Sequence, residues 1–496
     1  VDLLRLFEKG PDHPLADPAE AERLVAGLPA DRPLEALEEL RQWLESLAAF
    51  DGFACDERLA LARRLDDAGR APASALFAEF YARAHQRDRA QHKRFATLEG
   101  YWENLAAAYR RCVADDERRE KHADAIRDEL PLALARSYRA SFLAAKMRCL
   151  MYRAPEPADW APLHQLLSFA RVAHFEDVPV RLYEREVRTT PRFELGKLAA
   201  LARAAPHELP PAQIELAARI LDRFANSFEW ADGRFAGAGA ALGRLAELES
   251  AAARDLLSEE LQFGIEFPAT LLVTVARHLA RYFGPNPPRR AGARVPMPGK
   301  IEVVRGFRAI CERIHALEVK SGGQGPQIQA EAPTQPPESW PVIERSQWGI
   351  GAELPSDVGN WTEPGILCAV HDPDAPWAVA IIRRLHASAG KARCGLQILS
   401  KKPLSVWLRV LGREGQEVSH WVSSTGSFAY DYARGIVLTD APKVDGRAVM
   451  LVEAGKFVPE QQCEIMAGDR SRAMRLSRFV EEGADYVKVA FDWLKP

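Results

Sequence analysis

PRRAGARVPMPGKIEVV (288–304) is where this chain stops reading as helix and starts reading as sheet. A short Pro- and Gly-punctuated segment carries Arg289, Arg290 and Arg294, and the β-like run of Ile301, Val303 and Val304 follows at once. Guanidinium groups this close repel one another. Either each is separately solvated, or something anionic belongs between them.

Upstream, residues 1–283 read as helix after helix. DPAEAERLVAGL opens with Asp17 as N-cap and Pro18 in the first turn. PLEALEELRQWLESLAAF places Leu34, Leu37, Leu40, Trp43, Leu44 and Leu47 on one face at helical spacing. PAQIELAARILDRF repeats the pattern with Ile214, Ala217, Ala218 and Leu221. LPADRP, RAPEPADW and HELPPAQ supply turns between helices, and no fixed-period repeat is evident. The expectation is an all-α helical bundle or irregular solenoid. Such a unit ordinarily holds a protein partner or forms a homodimer. Trp43, Tyr101, Trp102, Tyr109, Phe142 and Tyr152 are expected in its core, and DDERREKHADAIRDE (115–129) on an exposed helix face.

Downstream, the proline-rich FGPNPP (283–288) gives way to short alternating segments: KIEVV, GILCAV, WAVAIIRRL, CGLQIL and SVWLRVL. These predict an antiparallel β-barrel over 284–411. Within it, 306–340 holds an inserted helix, GFRAICERIHALEVK, and a Gly/Pro/Gln-rich flexible linker. A second small β unit is expected over 412–496, with RSRAMRLSRF (470–479) as a basic, solvated edge. The fold class is therefore multidomain α + β.

Composition narrows the function. Over 496 residues the formal net charge is only -3, so no global field draws the chain to a nucleic-acid polymer, and an anion site must be local. No apolar run approaches the roughly 20 residues of a membrane span, and no basic-then-apolar leader opens the chain. The seven cysteines form no CxxC pair, which points to reduced core thiols in a cytoplasm rather than disulfides or a metal site. No HxxxH or HExxH spacing, Walker loop or nucleophile elbow accompanies the acidic pair Asp115–Asp116 or the adjacent His371–Asp372. His371–Asp372 reads as a turn between strands. Neither an enzyme nor a cofactor or metal is expected, and RNA binding lacks the aromatic–basic interleaving it needs.

RRAGAR followed by a strand, and then ERSQWGIGAEL (344–354), resembles the PilZ family of cyclic diguanylate (cyclic di-GMP) receptors. The family pattern is an RxxxR pair and then a (D/N)xSxxG segment on a neighbouring strand. Arg290 and Arg294 fit the first element, with Arg289 just ahead; Ser346 and Gly349 fit the second. The likeness covers about 285–410 and departs from the pattern in two places. Glu344 stands where the family has Asp or Asn, and a helix and linker separate the motif halves. It implies a PilZ-like barrel that binds cyclic di-GMP through Arg289, Arg290, Arg294, Glu344, Ser346 and Gly349. The chemistry is apt, since a guanidinium forks two hydrogen bonds to phosphate or to guanine O6/N7. A carboxylate accepts from guanine N1–H and N2–H, and glycine lets a ligand approach the backbone. The competing reading is a ligand-free structural adaptor that works through protein contacts alone.

Overall fold

The computed structural model describes most of the chain between His13 and Leu494. The longer stretches outside the described residues are 1–12, 154–159, 289–292, 321–334, 356–360 and 412–431. The chain forms two compact units, one of helices up to residue 289 and one of barrels from residue 290, the latter including Glu208–Pro210.

The helical unit contains α1 (Pro18–Ala26), α2 (Pro33–Ala49), α3 (Cys55–Tyr81), α4 (Arg89–Glu117) and α5 (Leu130–Leu150). It continues with α6 (Ala161–Val172), α7 (Pro191–Arg203), α8 (Pro211–Phe224), α9 (Ala241–Ala253) and α10 (Ala269–Phe283). Asp17 caps α1 as its sequence requires, accepting the Ala19 N–H at 2.8 Å. The apolar faces expected for α2 and α8 are buried, including Leu37, Leu40, Leu44 and Leu47, and Ile214, Ala217, Ala218 and Leu221. Of the aromatics assigned to the core, Tyr101, Tyr109, Phe142 and Tyr152 are buried, whereas Trp43 and Trp102 are only partly so. One element departs from an all-α unit. A hairpin of β1 (Glu229–Ala231) and β2 (Arg234–Gly237) is held by aromatic contacts of Phe228, Trp230 and Phe235, with Phe283 of α10 packed on Phe228 and Phe235.

The charged run at 115–129 is not wholly a solvated face. Asp115 is 2 % exposed and gathers three guanidiniums: Arg58 of α3 at 2.9 Å, and Arg111 and Arg118 each at 2.6 Å. A carboxylate at this depth is tolerable only when paired, and Arg58 arrives from 57 residues away, which local charge patterning cannot reveal.

The second unit holds two closed six-stranded antiparallel barrels. The first comprises β3 (Val295–Arg305), β4 (Glu338–Ser346), β5 (Gly349–Leu354), β6 (Leu367–His371), β7 (Ala378–Ser388) and β8 (Lys391–Ser400), ordered β3-β4-β5-β8-β7-β6. The second comprises β9 (Pro403–Val410), β10 (Tyr432–Leu438), β11 (Ala448–Glu453), β12 (Gln462–Ala467), β13 (Arg470–Glu482) and β14 (Tyr486–Trp493), ordered β10-β11-β14-β13-β12-β9. SVWLRVL therefore closes the second barrel, pairing with β10 and β12, and not the first, to which its position in sequence attached it. RSRAMRLSRF is likewise no edge: β13 lies between β12 and β14, with Met474 and Leu476 buried.

The inserted helix α11 (Phe307–Lys320) leaves β3 and packs Phe307, Ile310, Cys311 and Ile314 into one hydrophobic cluster. Leu367, Val379 and Ile381 of the first barrel join that cluster, as do Ile436, Val449, Leu451 and Ala490 of the second. The linker assigned to 321–339 falls largely outside the described residues. All seven cysteines are buried as free thiols. Among the described residues, no helix is long and apolar enough to cross a membrane, and no His/Cys/Asp/Glu group could hold a metal ion.

Candidate functional site

The two motif halves meet on the first barrel. In register, Pro296 of β3 faces Glu344 of β4, Glu344 faces Gly351 of β5, and Ser346 faces Gly349 across a two-residue turn. Glu344 and Ser346 are two apart on β4, so both project from the same face. Arg294, just ahead of β3, forms an ion pair with Glu344. The Ser346 hydroxyl lies 3.5 Å from the Gly349 carbonyl oxygen, at the edge of hydrogen-bonding reach.

Glycines pave the floor beneath these side chains. Gly351 pairs with Gly395 of β8, and Gly349 lies two residues before Gly351 on the same face. A methyl group on Gly351 would sit 2.6 Å from Glu344 Cγ, and one on Gly349 would sit 2.9 Å from Ser346 Oγ. A methyl on Gly395 would come 3.6 Å from Arg294 Nη2 and 3.5 Å from Arg384 Cβ. The strip thus lets Arg294 and Glu344 lie flat on the sheet.

Four of the six residues singled out in the sequence are therefore placed together: Arg294, Glu344, Ser346 and Gly349. Arg289 and Arg290 lie outside the described residues. Gly351 and Gly395 were not singled out, although glycines within GIGAEL and CGLQIL are the sequence signal for a close backbone approach. Arg294 and Glu344 retain 23 % and 34 % side-chain exposure, so each stays accessible to an incoming group.

The alternative catalytic pairs are engaged elsewhere. His371 Nδ1 lies 3.2 Å from Glu302 Oε2 and its ring stacks on Trp377, whereas Asp372 pairs with Arg345 at 2.5 Å. Asp115 is occupied by its three arginines.

Residues 19–232 match the family described as the N-terminal domain of the cyclic-di-GMP receptor FimW. The match spans α1 to β1, and so falls on the helical half and not on 285–410, where the PilZ likeness lies. No curated protein matches the chain.

Proposed function

We propose that this protein is a non-enzymatic cyclic di-GMP effector that captures the dinucleotide on the glycine-paved face of a PilZ-like first barrel. The observation that carries the reading is the convergence of Arg294, Glu344 and Ser346 over Gly349, Gly351 and Gly395. The similarity of the helical half to the N-terminal domain of a cyclic-di-GMP receptor supports the same ligand independently. In this scheme a phosphate takes the Arg294 guanidinium, with Arg289 and Arg290 completing the cationic cluster. Glu344, released from Arg294, accepts from the guanine N1–H and N2–H edge, and Ser346 bonds a phosphate or base oxygen. The segment 284–294 is the covalent link between helices and barrels, so ligand capture there biases a partner or second copy held by the helical unit. The composition, with seven unpaired buried thiols, suits a cytoplasmic setting.

Calorimetric titration with cyclic di-GMP tests the site. Arg290→Ala or Arg294→Ala is expected to cost about 2–5 kcal/mol, roughly thirty- to several-thousand-fold in affinity. Unchanged affinity in both variants removes the arginines from the site.

One observation favours a second reading, the ligand-free adaptor: Arg294 already has an anionic partner in Glu344. A thermal shift separates the two. Ligand at about 100 times its dissociation constant adds about 2.7 kcal/mol to a receptor and nothing to an adaptor.

A further inference from the structure

A cavity of about 280 Å³ opens on the helical unit. Helix α3 contributes Arg70, Ser74 and Phe77, α4 contributes Trp102, α5 contributes Arg139 and Lys146, and Tyr183 borders it from the connection after α6. Among the described residues its lining holds three cations and three aromatic rings but no carboxylate.

The cations differ in how they are held. Lys146 lies 2.9 Å from Glu215 and 4.1 Å over the Phe77 ring, and Arg139 lies 2.9 Å from Asp222 and 3.2 Å from Glu194. These carboxylates do not line the cavity, so they fix the cations without filling the space in front of them. Arg70 is exposed, stacks its guanidinium 4.0 Å over the Tyr183 ring, and has no carboxylate in salt-bridge reach among the described residues. The Tyr183 ring is itself fixed. Its hydroxyl donates to the wholly buried Asp66 at 3.0 Å, and Arg136 Cζ lies 4.7 Å from the ring centroid.

Fixed aromatic walls with convergent cations are what a flat, negatively charged ligand requires. The volume stands at the small end of the roughly 300–1,000 Å³ range of such sites, enough for one nucleotide but not for a whole cyclic dinucleotide. We infer that this cavity is a binding site for a planar anion of nucleoside-monophosphate size. Its ring would lie among Trp102, Phe77 and Tyr183, and its charge would face Arg70. The site belongs to the helical unit and does not depend on the barrel reading.

The full chain is titrated by calorimetry with GMP and AMP, and with guanosine as the uncharged control. At least one monophosphate is expected to bind, with guanosine about tenfold weaker or more. Arg70→Gln, at an exposed side chain without a carboxylate partner among the described residues, is expected to weaken binding by about tenfold. Ser74→Trp, which fills the mouth, is expected to abolish it. Arg294→Ala, on the barrel, is expected to leave it unchanged, which keeps a failure here distinct from a failure of the barrel site. If neither monophosphate binds at millimolar concentration, or if Arg70→Gln and Ser74→Trp variants of unaltered melting behaviour bind as tightly as the parent, the inference is overturned.

Discussion

Glu344 carries two opposed demands. In the resting site it neutralises Arg294, and its Cγ would lie 2.6 Å from a methyl on Gly351. The carboxylate therefore rests on the sheet and does not stand clear of it. Under the proposed capture, phosphate displaces it from Arg294, and its acceptor oxygens become available to a base. A pair this exposed contributes only about 0.2–1 kcal/mol, so release is inexpensive. Guanine offers N1–H and N2–H donors to a carboxylate, whereas adenine presents an acceptor at N1. Hydrogen bonds to a charged group are worth about 1.5–3 kcal/mol. Glu344→Ala is accordingly expected to shrink the preference for cyclic di-GMP over cyclic di-AMP by roughly ten- to a hundredfold. Competition titrations read this directly. An unaltered preference would mean that Glu344 serves Arg294 and nothing else.

At the scale of elements, the ends of two helices show what a sequence can and cannot disclose. Asp17 caps α1 from the adjacent position, so its role is legible in DPAE. The first N–H of α11, at Phe307, is instead taken by Asp485 Oδ2 at 2.7 Å, from 178 residues downstream. Arg305 and Gly306 gave no hint of a cap. Burial holds the Asp485 carboxyl above the usual carboxylate range, even though the Phe307 N–H favours its ionised form. Asp485→Ala is expected to cost about 1 kcal/mol, and Asp485→Asn much less, because an amide oxygen still accepts; denaturant melts of the two variants measure the difference. The same distinction governs the strands. Alternation in SVWLRVL identifies a strand, but its partners β10 and β12 come later in sequence, and periodicity carries no record of pairing. The turn that carries the chain across is fixed by Asp440, which accepts from Ser400 Oγ and, at 3.0 Å, from the Lys401 N–H. The site was legible to the extent that its parts are local: Ser346 and Gly349 share one hairpin, and Arg294 precedes the neighbouring strand. Its floor was not, because Gly351 and Gly395 acquire meaning only when β5 pairs with β8.

At the scale of the whole molecule, each unit has its own source of stability. The two barrels share one cluster around α11, so neither core is complete alone. A chain ended at residue 411 keeps β9 but loses every strand it pairs with, along with Ile436, Val449, Leu451, Tyr486 and Ala490 of the shared core. It is expected to lose the cooperative melting of both barrels, whereas a chain ended before the barrels, at residue 283, keeps its helical circular-dichroism transition. The helical unit adds buried and half-buried ion pairs to its apolar core, and these make it sensitive to acid. Burial pulls the carboxyls of Glu215 and Asp222 upward, but Lys146 and Arg219 outweigh it at Glu215, and Arg139 and Lys197 at Asp222. Both therefore titrate below their ordinary range in the folded state. A depressed folded value means that the unfolded chain binds protons first. The stability these groups supply is full above about pH 4–5 and is lost as pH falls through the folded values. Asp66 has the opposite sign, since burial raises it despite Arg136, Tyr109 and Tyr183, so acid relieves the strain of ionising it. With two groups against one, helical melts of the full chain are expected to hold level from pH 7 to about 5 and to fall steeply below 4. Replacing Asp222 by Asn removes one depressed carboxyl, and its melt should fall less steeply over that same acid range. An equal acid slope in parent and Asp222→Asn would show that this carboxylate contributes nothing to the pH dependence of the fold.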